Sequence, residues 1–198
     1  MKSQLPYSNS LFISNYGKAV PYNSSKIETN DGKANYGFKN LKVRPQLIDT
    51  VPELSSDDAL KSLVRALNAS KTSFFSVGCF SGQVSQEEGY LYRGYIEFSF
   101  NCRMCVQDAR NYFSLYFHFE QFLRQHKFDQ KVKLKWMLEE AQFLDVGIDG
   151  FTCAIFIFTA NCSSPDKAYY SWQKSLEILE SFLRSIQVQS HTVIYENC

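Results

Sequence analysis

The sequence predicts an α+β fold: a duplicated strand-strand-helix unit building a four-stranded antiparallel sheet with both helices on one face, a permuted ferredoxin-like arrangement. An N-terminal extension and one further helix precede it. Three observations predict this. The stretch YIEFSFNCRMCVQDARNYFSLYFHFEQFLR, residues 95–124, returns sixty residues later as IFIFTANCSSPDKAYYSWQKSLEILESFLR, residues 155–184. The identities cluster at a strand end (Phe98, Asn101 and Cys102 against Phe158, Asn161 and Cys162) and at a helix end (Glu120, Phe122, Leu123 and Arg124 against Glu180, Phe182, Leu183 and Arg184), with no gap between them. Each copy also opens on a lysine, Lys71 or Lys131, followed by an extended apolar stretch. A self-similarity at fixed spacing is the mark of a repeated supersecondary unit.

The boundaries follow: residues 1–45 form the extension, wrapping or disordered, and residues 46–198 the duplicated domain, with repeats at 71–127 and 131–187. The extension is rich in Ser, Asn, Tyr, Gly and Lys, shows no period, and carries turn signals at Pro21, Asp31-Gly32 and Gly37. Its six aromatics (Tyr7, Phe12, Tyr16, Tyr22, Tyr36, Phe38) exceed what a solvated linker needs. Pro45 to Pro52 encloses LIDTV, a short extended candidate. Ser55 or Ser56 then caps a helix with Asp57 and Asp58 in its first turn and an apolar stripe at Leu60, Leu63, Val64 and Leu67, ending near Asn68.

In the first repeat, residues 73–80 predict a strand, Ser81 to Glu88 a polar connection, and Tyr90 to Asn101 a second strand. That strand alternates, with Tyr92, Gly94, Ile96, Phe98 and Phe100 on one face. The helix from Met104 to His126 is apolar over more than half its circumference, so a second body, the extension or another subunit, should lie over it. The second repeat predicts strands at 131–139 and 151–160 joined through Gly147 and Gly150. A cleanly amphipathic helix then starts at Ser164-Pro165. Residues 191–195 suggest an edge strand.

Composition narrows function mainly by exclusion. Net charge is +1, with a mild excess of cations in residues 1–50, short of the basic stripe of a duplex-binding domain. No apolar run has signal-peptide or membrane-span length, and six cysteines in 198 residues do not make a disulfide scaffold. The expectation is a soluble, cytoplasmic protein with reduced thiols, no membrane and no cofactor. Aromatics are 16% of the chain, enough to suggest large apolar contact surfaces and self-association or a protein partner.

Cys102-Arg103-Met104-Cys105 is a C-x-x-C between a strand and a helix start, where free amides favour a thiolate. It supports a thiol-disulfide redox alternative using Cys102 and Cys105. The preceding hairpin is the wrong context for a thioredoxin-like unit, and the second copy replaces Cys105 with Pro165. His118, His126 and His191 are scattered, which argues against zinc. If the helices cover Ile96, Phe98, Phe156 and Phe158, the open sheet face carries Arg93, Tyr95, Glu97, Cys153, Ile155, Ile157 and Trp136 or Met137. That face is a candidate interface, a seat for the extension, or a groove for a small apolar or cationic ligand. Glu97 recognises a cation there if buried, or pairs with Arg93. Tyr90, Tyr92 and Tyr95 could stack bases, but the basic and glycine context of RNA-binding sheets is missing, so nucleic acid is not expected.

GFTCAIFIFTANCSSPDKAYYSW (150–172) and, less closely, GYLYRGYIEFSFNCRMCVQDARNY (89–112) resemble the strand-to-helix segment of S-adenosylmethionine decarboxylases. There Gly-aromatic opens a strand, Phe-Thr-Cys-Gly closes it, and a Pro-x-x-Ala helix follows. Ala160 and Phe100 stand where that family carries its catalytic cysteine, and neither copy has the Glu-Ser processing site or its histidine. The resemblance implies shared architecture without that activity. The expected function is therefore noncatalytic binding or interaction, using the open sheet face, the first repeat helix, or both.

Overall fold

A computed structural model describes residues 5–23, 36–87, 89–188 and 192–196. The turn expected at Asp31-Gly32 and the histidine at 191 lie outside the described residues. Five strands form one sheet: β1 (Ser8–Val20), β2 (Phe74–Gln86), β3 (Gly89–Phe100), β4 (Val132–Phe143) and β5 (Ile148–Thr159), in the order β1-β4-β5-β3-β2. Each repeat gives a hairpin, β2-β3 or β4-β5, and the second strands of the two hairpins meet antiparallel at the centre. The sheet has five strands rather than four because the extension supplies β1, which runs parallel to β4 along its outer edge.

The helices α1 (Asp58–Asn68), α2 (Arg103–Val106), α3 (Ala109–Gln125) and α4 (Pro165–Ser185) follow the predicted grammar, with shifted ends. The cap of α1 is Asp57, not Ser55 or Ser56; its carboxylate accepts the Leu60 amide at 3.0 Å. The single helix expected from Met104 breaks in two, because Asp108 caps a fresh start. Ser164 and Pro165 open α4 as the sequence suggests. LIDTV is not extended: Pro45–Thr50 and Pro52–Leu54 form two short 3-10 turns. Residues 192–196 add no strand; Tyr195 instead exchanges two 2.8 Å hydrogen bonds with Asn101 and packs edge-on against Phe75.

All four helices pack on one sheet face. Phe119 of α3 lies against Trp136 of β4 and Phe182 of α4, and Trp172 of α4 presses on β3 so closely that a Cβ at Gly94 would strike its ring and the Phe80 carbonyl. The conserved spacing between repeats has a physical counterpart: Glu120–Arg124 and Glu180–Arg184 are equivalent i,i+4 ion pairs on α3 and α4. The second cover expected over α3 comes partly from β1, where Tyr116 Oη donates to the Asn9 carbonyl (3.1 Å) and Asn9 Nδ2 to Glu120 Oε2 (3.2 Å). Phe117 stays 61% exposed.

The extension then crosses to the opposite face. Val20 is fully buried at the end of β1, and Tyr22 Oη donates to the Val77 carbonyl at 2.9 Å on the far edge strand. Residues 36–57 form a strap leading into α1. Lys42 anchors the strap: its buried ammonium donates to Ala69 O (2.6 Å), Thr72 O (2.9 Å) and Thr72 Oγ1 (3.1 Å), beyond the C-terminus of α1. Burial pushes this ammonium down to about 8, opposed by the three acceptors and the negative helix end.

Candidate ligand groove

Strand pairing fixes which residues share a face. In β3, Ile96 and Phe98 point under the helices and Arg93, Tyr95 and Glu97 to the open face. Because Ile96 lies opposite Ile155 and Phe98 opposite Cys153, the β5 phase is the reverse of that expected. Cys153, Ile155 and Ile157 are fully buried under the helices, as is Trp136 opposite Ile155, while Phe156 and Phe158 are half-buried on the open face. The reason is compositional: FTCAIFIFT is apolar on both sides, so alternation cannot choose between them. Met137, paired with Ala154, does lie on the open face.

That face is a groove of about 1160 Å³ walled by the strap and lined by, among others, Lys18, Tyr22, Tyr36, Gly78, Cys79, Phe80, Tyr95, Glu97 and Glu139. Its polar centre comes from three distant strands. Lys18 Nζ of β1 bonds Glu97 Oε1 of β3 at 2.6 Å and Glu139 Oε2 of β4 at 2.7 Å, and Ser14 Oγ approaches Glu139 Oε1 at 3.4 Å. Glu97 pairs with Lys18 and is 6% exposed, whereas Arg93, its expected partner, is exposed. Burial works against the Lys18 ammonium, but Glu97 and Glu139 outweigh it and hold its pKa above the ordinary lysine range. Burial first, and then Glu97, pushes the Tyr95 hydroxyl up to about 12, and burial raises Tyr22 further. Both tyrosines stay neutral across the physiological range. Cys79 borders the groove but pairs with Ile96 on the helix-side face; burial first, then Glu53 and Asp57, push its thiol up to about 12, which disfavours the thiolate at neutral pH.

The C-x-x-C pair lies elsewhere, at the end of β3. Cys102 caps α2, its sulfur accepting the Cys105 amide at 3.3 Å. Burial and the Cys102 contact push the Cys105 thiol up to about 12, opposite to the lowering that redox cysteines need. Cys162 bridges Tyr90 at the start of β3, the far end from Cys102. Among the described residues no disulfide forms. Among the described residues no group of three metal-ligating side chains forms, and no helix is long and apolar enough to cross a membrane. Of the three stacking candidates, Tyr92 is buried against Tyr169 and Trp172, and Tyr95 packs on Phe156 at 5.3 Å.

Lys18, Tyr22, Gly78 and Glu139 escape sequence reasoning. The groove forms only when β1 docks on β4 and the strap folds back, and no local spacing signals either event. No family model, curated protein or solved structure matches the chain.

Proposed function

We infer that this chain is a noncatalytic binding protein whose ligand seat is the groove between the open sheet face and the strap. The observation that carries this reading is Glu97: a carboxylate more than nine-tenths buried at the groove floor, with Oε1 tied to Lys18 and Oε2 bonded to no other described group. A carboxylate oxygen that faces a groove is an acceptor a ligand donor can engage, and a charge-assisted hydrogen bond to it is among the stronger ones. The volume suits a small organic molecule, and Tyr22, Tyr95 and Phe80 supply the apolar walls such sites use. The C-x-x-C redox alternative gains no support from the raised Cys105 thiol.

Self-association is a second reading, favoured by one feature. The outer edge strand β1 presents Ile13 at 66% and Tyr16 at 80% exposure, and no charged residue interrupts Ser8–Gly17. Uncharged, apolar edges invite pairing with another strand. Native mass spectrometry of freshly purified protein weighs both. A noncovalent small-molecule adduct on the wild type that is lost in Gly78→Val supports the groove; an adduct retained in that variant contradicts it. A dimer mass that Ile13→Lys reduces to monomer supports the edge.

A further inference from the structure

Gly78 leaves a shallow notch in the groove floor, too tight even for a methyl group unless its neighbours give way. The β2 register shifts between Ser76 and Gly78, which brings the glycine beside Glu97. A Cβ at this position would sit 3.3 Å from Tyr22 Oη, 3.4 Å from Glu97 Oε2 and 3.7 Å from the Tyr95 ring. The glycine backbone is not in the left-handed region, so its missing side chain serves space rather than conformation. The notch is thus bounded by a carboxylate oxygen and two neutral phenols.

Charge sets the sign of what fits. Glu97 and Glu139 share the single ammonium of Lys18, which leaves one unit of negative charge with no further cation bonded to it among the described residues. An anion would have to displace Lys18 from two carboxylates. A metal ion would find too few ligands among the described residues. An organic ammonium needs one acceptor oxygen and flanking aromatic surface, which the notch has.

We propose that the groove above the Gly78 notch receives the ammonium group of an organic amine, donating to Glu97 Oε2 from the open side, while the rest of the ligand lies along Tyr22, Tyr95 and Phe80. This rests on the groove being the binding site. Lys18 keeps Glu97 Oε1 engaged, so the carboxylate presents one oxygen at a fixed angle.

Calorimetric titration of the full chain at neutral pH with benzylammonium, benzyl alcohol and benzoate tests it. Benzylammonium should bind about tenfold or more tighter than benzyl alcohol, the discrimination expected of one charge-assisted hydrogen bond, and benzoate should not bind. Glu97→Gln should remove that tenfold preference without weakening benzyl alcohol. Gly78→Ala, a smaller disturbance if Glu97→Gln unfolds, should weaken the ammonium by crowding the notch. Equal binding of ammonium and alcohol, both weakened by Gly78→Ala, overturns the amine and leaves the groove. Binding indifferent to both variants overturns the groove as well, and tighter benzoate or no detectable benzylammonium binding overturns the amine outright.

Discussion

Replacing Asp57 by Ala should lower the stability of the fold by about 4 kcal/mol, on the order of 10 °C in Tm for a chain of this size. Asp57 is fully buried with no cation bonded to it among the described residues, and five donors converge on it: the Leu60 amide at 3.0 Å, Ser81 Oγ at 2.6 Å, Trp172 Nε1 at 2.8 Å, and more loosely Tyr169 Oη at 3.4 Å and Tyr92 Oη at 3.5 Å. One carboxylate therefore ties the start of α1 to β2, β3 and α4. Its removal loses the cap, worth about 1 kcal/mol, strands the buried Trp172 N–H at about 1–3 kcal/mol, and removes the bond to the half-buried Ser81 hydroxyl, worth about 1 kcal/mol. Asp57→Ser should recover the cap alone and lie between wild type and Ala. In urea denaturation, Trp172→Phe should cost much less in the Ala background than in the wild type, because the donor it removes has already lost its acceptor. Equal costs in both backgrounds would mean the knot does not exist.

Lys18→Met is the second large effect. It leaves Glu97 and Glu139 facing each other in the groove, and breaking a buried pair from one side costs about 3–5 kcal/mol. Lys18 is partly exposed, so about 2–3 kcal/mol is the expected loss here. The folded-state pKa of Lys18 lies above its unfolded value. Its contribution is therefore complete below about 10.4 and fades only as pH rises through the folded value, so the loss should be constant across the neutral range. The triple variant Lys18→Met, Glu97→Gln, Glu139→Gln should return to within about 1 kcal/mol of wild type, since removing a whole buried cluster is close to neutral. A single substitution that costs nothing would show that β1 does not dock beside β4 as described.

These two sites differ in how far the sequence announces them. The helix around Asp57 is legible: the Leu60, Leu63, Val64, Leu67 stripe and the acidic start fix it to within two residues of its cap, which the sequence reading puts at Ser55 or Ser56. The repeat likewise gives both hairpins, their central strands and the α4 cap. β2 runs past its expected end through Ser81 and Gln83 to Gln86, because an edge strand tolerates polar residues that read as a loop. β1 is harder. Its Ser- and Asn-rich residues do not alternate, and its register shifts between Ile13 and Gly17, which hides a strand whose stability comes from β4. The open face was half legible, since β3 alternates and β5 does not. Of its charge centre only Glu97 was legible: Lys18, Glu97 and Glu139 are 79 and 42 residues apart in the chain and meet only through a parallel pairing that no local pattern encodes.

In the function proposed above, the strap and the open sheet face make a ligand seat around Glu97. Backbone amide chemical-shift mapping during a benzylammonium titration tests it most directly. Saturable shifts concentrated at Tyr22, Gly78, Tyr95 and Glu97, on one binding curve, are expected. Shifts centred instead on the outer surface of α3 or the exposed edge of β1, with the Gly78 and Glu97 amides unmoved at saturation, would contradict it.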